Sequence, residues 1–144
     1  MLGSRFEVME FEASTRSAAE AAAAIGCTVG QIAKSLVFRA TISDRVVVVI
    51  TSGTNRVSES IIAIHLGEKI ERANADFVRE RTGFAIGGVP PIGHSAPVLI
   101  LIDEDLRNFN EMWAAAGTPN SVFRLTFDDL VRLTNGRVTR VAAS

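Results

Sequence analysis

Cysteine and histidine are scarce in this sequence, and their scarcity argues against several kinds of protein. The chain has 144 residues with one cysteine, Cys27, and two histidines. One cysteine cannot form a disulfide within the chain, which is typical of proteins from a reducing cytoplasm. A structural zinc site needs about four ligands that are mostly Cys or His. We therefore expect no disulfide framework and no metal site.

Long apolar runs and an excess of positive charge are also missing. The longest apolar stretches, residues 46–50 and 96–102, are far shorter than the roughly 20 residues that cross a bilayer. No apolar run follows a basic stretch near the start, so we expect a soluble, cytoplasmic protein without signal peptide or membrane partner. The formal net charge is −1, which creates no global field for long nucleic acid. A nucleic-acid partner would be held through a few local contacts, for instance at a strand end.

The chain does contain enough apolar sequence for a core. Apolar residues make up 47% of it, and no repeat or linker divides it, so we expect one domain over residues 1–144. Strands and helices interleave irregularly, which favours a mixed α/β fold over a regular parallel one. Patterning and capping signals predict strands at 5–11, 36–40, 45–51, 69–72, 97–102, 121–125 and 138–141, and helices at 17–25, 58–66, 74–83 and from 126.

The most unusual stretch is a loop rich in glycine and proline, residues 87–94. Adjacent glycines let the backbone approach a ligand closely, and two adjacent prolines stiffen the loop and remove two donors. The remaining backbone N–H groups would then be rigidly placed to stabilise an oxyanion. The composition equally allows a simple turn between two strands. The candidate donors belong to Gly88, Val89, Ile92, Gly93 and His94.

Several other positions carry polar groups that suit a site. Lys34 lies between apolar residues at the mouth of a predicted strand, either snorkelling or held as a charge in a pocket. Thr15 and Arg16 precede the first long helix, where capping and solvation are the ordinary roles. Asp103 begins a carboxylate cluster and is also a good helix cap. Nothing near Cys27 resembles a nucleophile signature, so an inert thiol is the better interpretation.

Four segments taken together resemble the YbaK and prolyl-tRNA-synthetase editing-domain family. They are STRSAAEAA (14–22), GQIAKSLVF (30–38), TGFAIGGVPPIGH (82–94) and DEDL (103–106) followed by AAGT (115–118). They occur in family order over nearly the whole chain. The resemblance implies a curved, partly barrel-like mixed sheet surrounded by helices. It also implies a pocket for the 3′ end of a mischarged tRNA, and hydrolysis of the aminoacyl ester without metal or cofactor.

The resemblance also implies which residues form the site. The Gly-x-x-x-Pro loop of the family falls on Gly87 and Pro91, and its functional lysine falls on Lys34. Water would attack the ester while the substrate's ribose 2′-hydroxyl helps to accept a proton, and Lys34 would hold the terminal nucleotide or its phosphate. The implied catalytic set is Lys34, Gly87, Gly88, Val89 and Pro91, and the substrate-binding set is Thr15, Ser35, Ile92, Gly93, His94 and Asp103.

The sequence leaves three functions open. The leading one is a trans-acting deacylase for a small residue such as alanine, cysteine or serine on tRNA(Pro) or a related tRNA. The others are a non-catalytic tRNA-end or nucleotide-binding module and a small-molecule enzyme using Cys27. Relatives usually carry a helix before the first strand, whereas few residues precede Arg5, so either that helix is dispensable or the surface that meets the tRNA differs. A synthetase partner and the oligomeric state are left open.

The net charge predicts a shallow salt dependence of tRNA binding. With basic residues scattered along the chain, contact should neutralise about two to four phosphates, which gives a log–log slope near −2 to −3. Lys34, with Arg16 or Arg56, should supply most of this slope, and removing them should flatten it. The measurement is the affinity for a non-hydrolysable charged tRNA across a salt series. A slope steeper than about −6 would indicate an extended RNA footprint and contradict the expectation.

Overall fold

Two β-sheets and four α-helices make up the computed structural model, which describes residues 7–12, 17–86, 88–94, 98–118 and 120–143. The strands are β1 (Val8–Glu10), β2 (Ala33–Ala40), β3 (Val46–Ser52), β4 (Ile70–Arg72), β5 (Leu99–Asp103), β6 (Met112–Ala115), β7 (Ser121–Leu125) and β8 (Arg137–Thr139). The helices are α1 (Ala18–Ile25), α2 (Glu59–Leu66), α3 (Ala75–Thr82) and α4 (Phe127–Thr134). Short 3-10 turns cover Val29–Gln31 and Glu104–Asn108. The predicted mixed α/β class is confirmed.

Local hydrogen bonds set both ends of every described helix. A side-chain oxygen at each start accepts a bond from a backbone N–H three residues later, which satisfies a donor that the helix leaves open. Each helix ends at a residue in the left-handed conformation, where glycine or asparagine is favoured. The caps are Ser17, Ser58, Asn74 and Thr126, and the stops are Gly26, Gly67, Gly83 and Asn135. The starts predicted for all four helices and the three glycine stops are confirmed.

The larger sheet has the order β4-β2-β3-β5-β8, with an antiparallel β2–β3 hairpin at its centre and parallel pairing through β5 to β8. Strand β3 is buried at every residue because both faces of the sheet are covered. Val46, Val48 and Ile50 face α3, α4 and the smaller sheet, whereas Val47 and Val49 face α2. Covering both faces explains why this strand reads as a continuous apolar run rather than an alternating one.

The smaller sheet has the order β1-β7-β6 and is antiparallel. Its strand β6 was not predicted, because Met-Trp-Ala-Ala lacks the β-branched residues that signal a strand. A parallel bridge between Ile32 and Trp113 joins β6 to the start of β2. The two sheets meet there without closing into a barrel, so the barrel-like feature is limited to this contact.

Some predicted strand limits differ from the observed ones. The strand expected at 5–11 spans Val8–Glu10, and residues 5 and 6 lie outside the described part. The last strand is Arg137–Thr139 rather than 138–141, since its pairing with β5 ends at Thr139. Each described helix has eight residues, and none of them is long and apolar enough to cross a membrane.

One carboxylate holds the turn of the central hairpin, and this generates a prediction about acid stability. Glu68 Oε1 accepts bonds from the backbone N–H of Ile42 at 3.0 Å and of Ser43 at 2.9 Å. The Ser43 backbone bond, with smaller help from Ile42 and Arg45, lowers the pKa of Glu68 against the opposing effect of desolvation. A lowered folded-state pKa stabilises the fold above the ordinary pKa near 4, and that stability is lost as pH falls.

We expect Glu68→Gln to lower the Tm at pH 7, and the difference from the unsubstituted protein to shrink as pH falls below about 4. Thermal unfolding at pH 7, 5 and 3 measures this. Glu80→Gln is the matched control, because Glu80 lies exposed on α3 and its side chain has no hydrogen bond or ion pair among the described residues. A Tm difference that stays constant from pH 7 to pH 3 would contradict the ionic role of Glu68.

Candidate functional site

A cavity of about 190 Å³ opens between α1, β2, β6 and the glycine–proline loop. Its wall carries two hydroxyl groups, those of Ser17 and Ser35, and among the described lining residues Trp113 is the only aromatic one. The rest of the wall is mostly apolar, which suits an apolar part of a ligand. Alanines dominate this wall: Ala18, Ala21, Ala33, Ala114 and Ala115.

Lys34 lies at the junction of this cavity with an open groove. It is the second residue of β2, opposite Thr51 in β3, and it lines both spaces. Its side chain is half-buried and has no hydrogen bond or ion pair within the described structure. Burial lowers the pKa of Lys34, and the nearby positive charge of Arg72 lowers it further. An ammonium group so placed would bind an anion that enters either space.

The groove has a volume of about 400 Å³. Two arginines, Arg56 and Arg72, line it together with Lys34, and Glu59 is the one acidic residue among its described lining residues. The groove is therefore cationic, whereas the cavity is mainly apolar. Lys34 belongs to both, so a ligand with an apolar part and an anionic part could occupy the two spaces at once.

The glycine–proline loop contributes less to the cavity than its sequence suggests. Gly88, Val89, Pro90 and Pro91 are all buried, and Val89 alone of them lines the cavity. The Gly88 N–H already donates to the Ala85 carbonyl at 2.9 Å, so the expectation of a free donor at Gly88 is wrong. The Val89 N–H has no partner among the described residues. Gly87 and Thr15, both expected in the site, lie outside the described residues.

His94 stabilises the loop rather than lining the cavity. Its Nε2 lies 2.8 Å from the Pro90 carbonyl oxygen, so the ring donates from this nitrogen. Its ring meets that of Phe84 edge-on, with centroids 6.3 Å apart. Burial lowers the pKa of His94, opposed in part by the bond to Pro90. Ile92 and Gly93 are likewise absent from the cavity wall, so the structure does not bring these three expected substrate contacts to it.

Asp103 is the clearest departure from the expected site. It is only 1% exposed and lines neither space. Its Oδ2 accepts bonds from the Thr51 hydroxyl and from Asn55 Nδ2, and its Oδ1 accepts one from the Asp105 N–H at 3.0 Å. With both oxygens engaged internally, Asp103 is a structural anchor for the loop after β3. Its cap of the following 3-10 turn agrees with the alternative that the sequence offered.

Sequence reasoning missed two residues that the structure brings to the site. Trp113 lies on the unpredicted strand β6, and Arg72 ends a short strand far from the motif residues. The sequence contains a single tryptophan, and this was the one available signal for it. No local signal marked Arg72. Among the described residues, no three His, Cys, Asp or Glu side chains are grouped as metal ligands.

Comparison with known proteins assigns the family. Residues 12–133 match the family described as Aminoacyl-tRNA editing domain, and the chain belongs to it. An uncharacterised Bacillus subtilis protein, YwhH, is 32% identical over 132 residues, which covers 92% of this chain and 83% of that protein. A proline–tRNA ligase from Thermoanaerobacter sp. is 32% identical over 91 residues, or 59% of this chain, yet the match spans only 16% of the ligase.

Solved structures agree with this assignment. A protein described as a candidate trans-editing enzyme for prolyl tRNA synthetase is 44% identical, with a TM-score of 0.91 over 97% of this chain and 88% of that one. The hypothetical protein APE2540 is 26% identical, with a TM-score of 0.88 over 96% of this chain and 91% of that one. The fold is therefore that of the editing-domain family.

The environment of Cys27 predicts that its thiol is dispensable. Burial is the main reason that the pKa of Cys27 is raised, so the reactive thiolate is disfavoured at neutral pH. The residue packs beside α1 and does not line the cavity. We expect Cys27→Ser to retain, within about twofold, the turnover of mischarged tRNA that the unsubstituted protein shows. Loss of turnover in a folded Cys27→Ser protein, or inactivation of the native protein by thiol alkylation, would instead support the alternative of an enzyme that uses Cys27 as its nucleophile.

Proposed function

We propose that this protein acts in trans as a hydrolase that cleaves the ester bond of tRNA mischarged with a small amino acid. The observation that carries the proposal is the position of Lys34, which is half-buried, has no partner among the described residues, and lies at the junction of an apolar cavity and a cationic groove. An aminoacyl ester at the end of an RNA strand has two parts that match these spaces. Its amino-acid side chain suits the apolar cavity, and the phosphates of the RNA suit the cationic groove. Membership of the editing-domain family supports the same activity.

The proposed reaction needs no nucleophile from the protein. Water attacks the ester carbonyl carbon, a C–O bond forms, and the negative charge on the carbonyl oxygen is stabilised by a rigid backbone donor such as the Val89 N–H. The ester C–O bond then breaks, and the ribose oxygen leaves with a proton. The neighbouring ribose hydroxyl assists the proton transfer, and the products are a free amino acid and uncharged tRNA. Lys34 positions the terminal nucleotide or its phosphate.

The proposal includes a preference for small amino acids, as the family resemblance implies. The cavity of about 190 Å³, with walls largely of alanine, accommodates alanine, serine or cysteine. Steric exclusion of larger residues is effective, whereas one methylene changes affinity by only about 1–3 kcal/mol. Similarity to proline–tRNA ligases and to the candidate trans-editing enzyme favours tRNA(Pro) or a related tRNA. The proposal includes a cytoplasmic location, with an aminoacyl-tRNA synthetase as a further partner.

A second candidate function is binding of the same ligand without hydrolysis. The Gly88 N–H is committed to Ala85, which leaves fewer backbone donors for an oxyanion than the loop sequence suggests. A protein with this site would still bind the 3′ end of tRNA or a nucleotide. Turnover separates the two functions, and a deacylation screen against a panel of mischarged tRNAs measures it directly.

Substitution of Lys34 tests the leading function. We expect Lys34→Ala to lower kcat/KM for the preferred mischarged tRNA about a hundredfold, because losing one positioning charge costs on the order of 3 kcal/mol in the transition state. Lys69→Ala is the matched control, since Lys69 is an exposed lysine outside both spaces. Circular dichroism and Tm check that both variants fold. Near-normal turnover in folded Lys34→Ala protein would remove Lys34 from the mechanism.

A further inference from the structure

We propose that Arg56 and Arg72 anchor the phosphodiester backbone of a single-stranded RNA end in the groove beside Lys34. This inference rests on the proposed function for the identity of the RNA, which is the 3′ end of the substrate tRNA. The groove itself is defined by its charges and its rigidity. Both properties follow from the described residues, and a binding experiment tests them without turnover.

The charges in the groove are unbalanced. Lys34, Arg56 and Arg72 line it against one carboxylate, Glu59. The described structure gives neither arginine an ion pair, whereas Arg39 and Arg81 both pair with Asp44 in the neighbouring charge network. Gathering like charges costs free energy, and an anion that enters the groove would offset it. The depressed pKa of Lys34, due first to burial and then to Arg72, is consistent with this crowding.

The loop that carries Arg56 is attached to the rest of the fold at its N-terminal end by close contacts with backbone carbonyl groups. The Gly53 N–H donates to the Ile32 carbonyl at 2.7 Å, and the Ser52 hydroxyl donates to the Gly30 carbonyl at 2.7 Å. A Cβ at Gly53 would lie 2.3 Å from the Val29 carbonyl oxygen, so only glycine permits this approach. The loop therefore lies directly against the 3-10 turn that precedes β2.

The same loop is attached on its other side as well. Asn55 Nδ2 donates to Asp103 Oδ2 at 2.7 Å and to Asp105 Oδ2 at 2.9 Å. The Arg56 carbonyl accepts a bond from the Ala143 N–H at 2.9 Å. The backbone at Arg56 is thus held before any ligand binds, and preorganisation of this kind reduces the entropy lost on binding. It also explains why a buried Asp103 matters to the site without touching it.

Arg72 reaches the groove from the opposite wall. It ends β4, and its guanidinium carbon lies 5.7 Å from the centroid of the Phe38 ring. A guanidinium beside an aromatic ring is held in position by cation–π attraction. Its N–H groups remain available for the paired hydrogen bonds that arginine makes with phosphate oxygens.

Because the cavity and the groove are continuous, the ligand of the groove is better explained as the end of an RNA strand than as a free anion. Lys34 lines both the cavity and the groove, so an RNA end whose aminoacyl group enters the cavity continues into the groove. The groove holds two arginines with Lys34, which matches a few phosphates rather than an extended duplex. The bases would need no specific contact for this mode, because phosphate contacts position a strand without reading its sequence.

The test is binding of a CCA trinucleotide, the common 3′ end of tRNA, to the full chain at low salt. We expect Arg56→Gln and Arg72→Gln each to weaken its affinity about five- to tenfold, as for loss of a charge-assisted bond. Each should also flatten the log–log salt slope by about 0.7. Arg79→Gln removes the same charge from exposed α3 outside the groove and should stay within twofold. Glu59→Gln should strengthen binding.

The outcomes separate this proposal from the hydrolase itself. Unchanged trinucleotide affinity in folded Arg56→Gln and Arg72→Gln proteins, or an unchanged affinity in Glu59→Gln, overturns the groove assignment. Inorganic phosphate that competes as well as the trinucleotide at equal concentration overturns the assignment to a strand. Weakened trinucleotide binding in a protein without turnover on any mischarged tRNA supports the groove and contradicts the hydrolase. Normal turnover with unchanged KM in the double arginine variant supports the hydrolase and contradicts the groove.

Discussion

The antiparallel pairing of β2 with β3 is the interaction on which the rest of the structure depends. It places β3 at the centre of a sheet covered on both faces and buries all of its residues. The pairing continues to the start of β2, where Lys34 lies opposite Thr51 at the edge of the covered region. There α1 and β6 leave a cavity instead of closing over the strand. The same register that builds the core therefore places a charge at its border.

Two polar groups near this border lack partners among the described residues, and for a buried group this is unusual. Lys34 makes no ion pair within the described structure, and the buried Nε1 of Trp113 has no hydrogen-bond partner. Leaving such groups unsatisfied costs stability, by about 1–3 kcal/mol for a neutral buried donor. Proteins keep unsatisfied groups of this kind mostly at functional sites. Among the described residues, Trp113 at the cavity wall has the buried donor without a partner.

Residues that look functional in the sequence divide into those that line the site and those that hold it in shape. Asp103 and His94 carry reactive groups, yet their polar atoms bond to the surrounding loops. Arg72, in contrast, belongs to none of the motifs recognised in the sequence, yet it lines the groove. The relatives agree in fold at 26–44% identity, so the fold alone does not fix the side chains. Function therefore depends on the residues that line the two spaces.

The sequence by itself determined the features that depend on bonds between near neighbours. Caps such as Ser58 and stops such as Gly67 act within four residues, so they can be recognised in any context. Strand β6 was decided by the tertiary structure, since it has weak intrinsic preference and forms by pairing with β7. The groove was decided in the same way, because Lys34, Arg56 and Arg72 come from three separate elements. Their meeting depends on sheet register and loop packing, which are long-range contacts that no local pattern encodes.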